Sequence, residues 1–274
     1  MNIGWRHLVS ETLVSFNKDD GWAMASHVAL SIIMALFPFL IFATALAGFL
    51  GNEDHADHII AVVFDTWPDQ IAQPIASEIR TVLGQNNVGF LTAGIGFALL
   101  FASNGVEAVR LALNRAYGTN ENRSFLYCRL QSLVFVFLGA VVLLVSSFGV
   151  ILTPFLASFA EEMVPALVRM HDTGLWLLRY SFSATALTFA VFACHVWLPA
   201  DKRSVSEVWP GIAATLSVWV RAAMIFSNYI ERFADYGSTF AGLAGIMTVQ
   251  IFLYLMAVIL ILGGELNAAL SKHI

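Results

Sequence analysis

The chain has 274 residues, of which 58% are hydrophobic and only 12% charged, and its mean hydropathy is +0.75. Soluble domains carry about 25% charged residues, so this balance excludes an ordinary soluble fold. A net charge of −5 gives no general basic surface for nucleic acid, and two cysteines, Cys128 and Cys194, give no disulfide framework.

The first twenty residues contain Glu11, Asp19 and Asp20 and no apolar core, so no cleavable leader is expected. Trp5, Leu8, Val9, Thr12, Leu13 and Phe16 fall at helical spacing, with Arg6, Glu11 and Lys18 elsewhere. That pattern predicts an amphipathic helix lying in a membrane interface. Apolar runs follow at 27–51, 88–108, 131–156, 175–199, 208–230 and 239–268. A hydrocarbon core takes roughly 20 helical residues to cross. Helices are expected because backbone groups in lipid must be satisfied within their own segment. The predicted fold is all-α: one integral membrane domain of six transmembrane helices over residues 1–274, with a helical outer loop. Within that loop Ile71, Ile75, Ile79 and Leu83 recur about every fourth residue after Pro68.

Orientation follows from the basic residues. Arg6, Lys18, Arg110, Arg115, Arg123, Arg129, Lys202, Arg203 and Lys272 lie on one side. Arg80, Arg169, Arg179 and Arg232 lie on the other. The richer side is expected to be cytoplasmic, which places both termini there.

Arg221 sits inside the fifth run, about 18 Å from its cytoplasmic edge near Trp209 at ~1.5 Å per residue. A charge at the bilayer centre costs at least about 2.5–3.5 kcal/mol, and such residues are functional candidates by default. Gln250 in the sixth run falls at a similar depth, with Tyr254 one turn further on the same face. Arg221, Gln250 and Tyr254 are therefore a candidate layer for an anion or a lipid phosphate, suited to the planar fork of a guanidinium. The alternative is that Arg221 bonds internal carbonyls or snorkels to the surface. Pro38 removes a donor from the first run and is expected to kink it, opening a polar recess beside Ser31 or serving packing alone. Gly94 and Gly96 suggest close helix packing. Glu107 and Arg110 stand one turn apart at the cytoplasmic edge of the second run. With Glu265 they form a candidate gate, or else Glu107 and Arg110 are a plain surface pair. Glu53, Asp54, His55, Asp57 and His58 are metal-ligand types without a distant partner, and a solvated acidic loop is the expected reading. No catalytic, cofactor or metal-binding pattern is present among the common motifs, so an enzyme is not expected.

The set Asp20-Gly21-x3-Ala25-Ser26-His27-x-Ala29-x-Ser31, Leu36-Phe37-Pro38, Asn114 to Arg123, Leu198-Pro199, Pro210-Gly211, Tyr236 to Ala244 and Leu262-Gly263-Gly264-Glu265-Leu266-Asn267 resembles the YihY/BrkB family of bacterial inner-membrane proteins. The resemblance covers nearly the whole chain in order. Phe240 stands where the family often has Tyr, and Gln250 falls where it is usually apolar. The resemblance implies a six-helix inner-membrane protein. The family has been labelled a tRNA-processing ribonuclease and a serum-resistance virulence factor, and transport has been proposed for it. Taken with the residues above, the leading expectation is transport or handling of an anionic small molecule or lipid. The alternative is a non-transporting protein that organises the envelope. Membrane lipids are the expected partners, and the sequence leaves the oligomeric state open.

Overall fold

The computed structural model describes residues 4–50, 88–142, 171–233 and 241–273. The expected outer-loop helix and the acidic His55–His58 stretch lie outside them. The described residues form seven helices: α1 Trp5–Lys18, α2 Gly21–Leu50, α3 Val88–Ala116, α4 Phe125–Val142, α5 His171–Trp197, α6 Val205–Phe233 and α7 Ala241–Ser271. A helix is thus described at each of the six expected apolar runs. Three are long and apolar enough to cross a membrane: Phe125–Val142, Val205–Phe226 within α6 and Met247–Ser271 within α7. In α2 and α5 the described apolar stretches are shorter, Gly21–Leu36 and Ala184–Trp197. The described residues are all-α, and the composition and these helices are consistent with a polytopic membrane protein.

Local chemistry sets the corners. Asp20, between α1 and α2, has φ 54°, a left-handed conformation that Asp tolerates better than most residues. Gly21 follows because the Phe16 ring packs against its backbone, where a Cβ would overlap the ring. Arg115 of α3 reaches Asp20 Oδ2 at 3.0 Å and ties this corner to the bundle. At the end of α3, Gly118 takes φ +63°. Its N–H donates to the Arg115 carbonyl at 2.9 Å, and that of Thr119 to the Asn114 carbonyl at 2.8 Å. This pair of bonds satisfies the last carbonyls of the helix and makes glycine the natural residue at 118.

Helix α7 is the centre of the bundle and packs against α1, α2, α3 and α6. Small residues let these helices approach: Ala25, Ala108, Ala112, Ala116 and Ala257 are buried together with Phe16, Val28 and Ile261. A second cluster joins α3, α5, α6 and α7 through Leu113, Val191, Val208, Ile212 and Leu260. A third seats α4 on α3 through Ala102, Val136 and Ala140. Helix α2 continues through Pro38 without a break in its assignment.

Helix α1 forms where expected, but only part of its apolar face is covered. Thr12 and Phe16 are buried, whereas Trp5, Val9 and Leu13 are exposed. Glu11 holds α1 to the far end of the chain, with Lys272 Nζ at 3.6 Å and His273 Nε2 at 3.1 Å. Residues 4 and 273 therefore lie at one end of the bundle, the termini end. Among the described residues nothing approaches the Cβ position of Gly96, and the surroundings of Gly94 lie outside them. The close approaches fall instead at Gly211, Gly263 and Gly264.

Candidate functional site at the termini end

Two polar networks meet where α3 ends. The first is ionic. Glu107 accepts from Arg110 at 2.6 Å and from Arg129 of α4 at 2.6 Å. Arg129 also donates to Asn104 Oδ1 at 2.8 Å and to the Leu100 carbonyl at 3.1 Å. The Arg110 Nε lies 3.5 Å from Glu121, whose carboxylate accepts from Arg123 at 2.7 and 2.8 Å. Arg123 in turn donates to the Leu198 carbonyl at 2.8 Å, and Gln131 donates to the Trp197 carbonyl. Asn114 completes the link, donating to Glu121 at 3.1 Å and accepting the Ala200 N–H at 2.8 Å. Hydrogen bonds from Arg123 hold the Glu121 carboxyl well down, at about 2. The family-like stretches 114–123 and 198–199 thus touch through backbone and side chain, and they join α3, α4 and α5.

The second network is buried. Asn267 of α7 is 2% exposed and lies beside the Pro210 step of α6. Pro210 has no N–H to donate, so the start of α6 lacks one internal bond. Asn267 supports that stretch: its Oδ1 accepts the Gly211 N–H at 2.6 Å and its Nδ2 donates to the Val208 carbonyl at 2.9 Å. The same Nδ2 lies 3.1 Å from the Tyr117 hydroxyl, which is 2.7 Å from His195 Nδ1. Arg203 stacks on the Tyr117 ring at 4.7 Å and donates to its carbonyl at 3.3 Å. Burial pushes the Tyr117 hydroxyl up to about 12. Gly211 and Gly263 make the approach of α6 and α7 possible. A Cβ at 211 would overlap the Gly263 carbonyl, and one at 263 would overlap Thr215 Oγ1. Gly264 faces α3, where Ala116 Cβ would be 3.2 Å from an added methyl.

The residues singled out in the sequence are distributed differently. Arg110 pairs with Glu107, as the spacing suggests, and also lies near Glu121. Glu265 is not bonded to either: it is 2% exposed, and its Oε1 has no hydrogen-bond partner among the described residues. Arg221 is exposed on α6, beside the exposed Val218, Val220, Met224 and Ile225, and has no bonding partner among the described residues. Gln250 is half-buried, and Tyr254 packs on the Phe16–Ala25–Val28 cluster. No hydrogen bond among the described residues joins Arg221, Gln250 and Tyr254. Helices α6 and α7 meet at this level through Trp219, whose Nε1 donates to the Met256 carbonyl at 2.9 Å, and through Phe226 and Phe252, 5.1 Å apart. Ser31 is half-buried on α2, and Pro38 lies seven residues further along the same helix.

Tyr117 and His195 are missing from the sequence-level candidates. His195 had a weak signal, as a histidine in a long apolar run. Tyr117 had one too, as the residue one turn past Asn114. Their pairing across 78 positions is visible only in three dimensions.

The family described as virulence factor BrkB matches residues 12–274. The chain belongs to the BrkB family. Among its relatives is the putative ribonuclease-like protein YfkH of Bacillus subtilis, 31% identical over 97% of this chain and 95% of the relative. Another is a UPF0761 membrane protein of Pseudoalteromonas translucida, 25% identical over 91% of this chain and 81% of its own length. A UPF0761 membrane protein of Legionella pneumophila is 23% identical over 94% of this chain and 60% of its own length. No solved structure matches the chain. The family assignment agrees with the resemblance carried by the Asp20-Gly21, Leu198-Pro199, Pro210-Gly211 and Leu262–Asn267 stretches. Of these, the Pro210-Gly211 and Leu262–Asn267 stretches meet at the α6–α7 contact.

Proposed function

We propose that the protein crosses the bacterial inner membrane six times with both termini in the cytoplasm. In this reading it is a non-enzymatic protein that transports or handles an anionic small molecule or lipid, whose charge is met by Arg221. The observation that carries this is the position of Arg221. It stands about 24 Å along α6 from Val205, at ~1.5 Å per residue, on an exposed apolar face and without a bonding partner among the described residues. Burying such a charge in hydrocarbon costs at least about 2.5–3.5 kcal/mol, and an anionic group that reaches α6 offsets that cost. Both termini at one end of the bundle agree with an even number of crossings. The ribonuclease-like name of the Bacillus relative is not carried over. The net charge of −5 gives no general basic surface for a nucleic-acid substrate.

The test is thermal stability of the purified protein with and without added anionic lipid. Wild type is expected to gain stability from anionic but not zwitterionic lipid. Arg221→Leu should show a clearly smaller gain than wild type while remaining folded, and Arg221→Lys an intermediate one, because an ammonium lacks the bidentate fork. An equal lipid response in all three variants would overturn the reading and leave the envelope-organising one.

A further inference from the structure

Helices α1, α6 and α7 enclose an apolar groove of about 210 Å³. Its walls include Val9 and Leu13 from α1, Ala214 and Val218 from α6, and Ile259 and Leu262 from α7. Thr12 also lines it, but its hydroxyl is spent on the Leu8 carbonyl of its own helix at 2.9 Å, so it adds no free donor. Two of the three walls belong to helices long and apolar enough to cross a membrane. In the membrane-spanning reading proposed above, a groove between these two helices opens towards hydrocarbon chains.

The rim says what kind of chain. Trp5 and Arg6 stand one turn before Val9 and so share its side of α1. Trp5 is 71% exposed, and the Arg6 guanidinium lies 5.8 Å from the Trp5 ring. Trp with a basic residue is the pairing found at membrane–water interfaces, and a guanidinium is matched to phosphate oxygens. Glu11, one turn from His7 on the same helix, is engaged by Lys272 and His273. That carboxylate is therefore already compensated and opposes an anion at the rim less than a free one. We propose that this groove holds one acyl chain of an anionic phospholipid, with the lipid phosphate at Arg6 and Trp5. The site lies at the termini end and does not depend on Arg221.

The experiment uses the full chain in bilayer nanodiscs with phosphatidylglycerol bearing a photoreactive group on one acyl chain, and with the matched phosphatidylcholine. Crosslinked peptides are mapped by mass spectrometry. Labelling of Val9–Leu13 and Ala214–Val218 should saturate, be competed by unlabelled phosphatidylglycerol, and be severalfold stronger with phosphatidylglycerol. Ala214→Phe should fill the groove and abolish it, and Val218→Phe, at a more exposed position, serves if that variant does not fold. Arg6→Ala should bring phosphatidylglycerol labelling down to the phosphatidylcholine level, whereas Arg221→Leu should leave groove labelling unchanged. Labelling that neither saturates nor exceeds that at the outward Ile225 overturns the acyl-chain site in the wild-type protein alone. Equal labelling by the two lipids overturns the headgroup assignment. A chain-to-chain crosslink from Val218→Cys in place of lipid labelling would assign the groove to a second copy, and overturns the proposal as well.

Discussion

The Tyr117 hydroxyl lies 2.7 Å from His195 Nδ1, and the bonds on the far side of the cluster favour the tyrosine as the donor. The Gly211 N–H can only donate, so the amide atom of Asn267 that meets it at 2.6 Å is the oxygen. The Asn267 nitrogen then faces the Val208 carbonyl at 2.9 Å and the Tyr117 oxygen at 3.1 Å, which uses both of its hydrogens. Tyr117 accepts there, and its own proton goes to His195 at 2.7 Å. In that arrangement the imidazole is the Nε2–H tautomer, and that Nε2 has no partner among the described residues. One backbone amide in α6 is thus linked through Asn267 and Tyr117 to a histidine in α5.

This chain of bonds predicts a coupled response. Tyr117→Phe leaves the Asn267 and His195 groups short of a partner, and an unpaired buried polar group costs about 1–3 kcal/mol. His195→Leu removes the acceptor and should also destabilise. The double variant should lose less than the two single losses added together, since the second change removes a group already orphaned. Thermal unfolding in detergent of the four proteins measures this. Strict additivity would mean that Tyr117 and His195 do not share the bond.

The glycines of the α6–α7 contact predict a position-specific cost. Gly211→Ala and Gly263→Ala each place a methyl into the opposing helix, onto the Gly263 carbonyl and Thr215 Oγ1 respectively. Overpacking of this kind typically costs about 1–3 kcal/mol, read as a lower melting temperature. Gly96→Ala is the control, because nothing among the described residues lies within 4 Å of its Cβ position. It should be neutral or stabilising by up to about 1 kcal/mol, the helix-propensity difference between Ala and Gly.

Those glycines also mark how far the sequence could be read. Hydropathy locates a helix at each apolar run, because long apolar stretches have few other solutions in lipid. Period alone finds α1, but not that Phe16 and Thr12 face the bundle while Trp5 stays exposed. The choice between Gly96 and Gly263 as a contact depends on which helix face meets a neighbour, and no single helix carries that information. The Glu107–Arg110 pair is local, three residues apart, and legible. The links from Arg129 to Glu107 and from Arg123 to Leu198 are 22 and 75 residues long in sequence, and only the fold supplies them.

The Glu121–Arg123 pair predicts a pH dependence with a definite sign. Arg123 holds the Glu121 carboxyl at about 2 against an ordinary value of 4.5. A depressed carboxyl contributes stability above its unfolded value and loses it as pH falls towards the folded one. The contribution should therefore be complete above pH 4.5 and fade between there and pH 2. Glu121 sits at the surface with its side chain partly exposed, so the effect belongs with surface ion pairs, at under about 1 kcal/mol. The measurement is the difference in melting temperature between wild type and Glu121→Gln across that range. It should shrink on acidification, and a difference that grows instead would reverse the assignment.

The membrane orientation gives the last prediction. Arg110, Arg115, Arg123 and Arg129 lie within one short connection and its flanking turns, and Lys202 and Arg203 in another. Arg123 binds the Leu198 carbonyl at 2.8 Å and Asn114 accepts the Ala200 N–H at 2.8 Å, so the two connections sit at the same end of the bundle. The contacts of Glu11 with Lys272 and His273 bring the termini together, and Asp20 with Arg115 joins them to the same end. One end thus collects most of the basic residues, and short basic loops are retained in the cytoplasm. In a background with Cys128 and Cys194 replaced by alanine, cysteines at Asn120 and Ser204 should resist an impermeant maleimide in intact cells and react after permeabilisation. Cysteines at His55 and Met170 should react from outside. Labelling of Asn120→Cys in intact cells would invert the orientation, and labelling of Asn120→Cys without Ser204→Cys would separate two connections that the fold holds side by side.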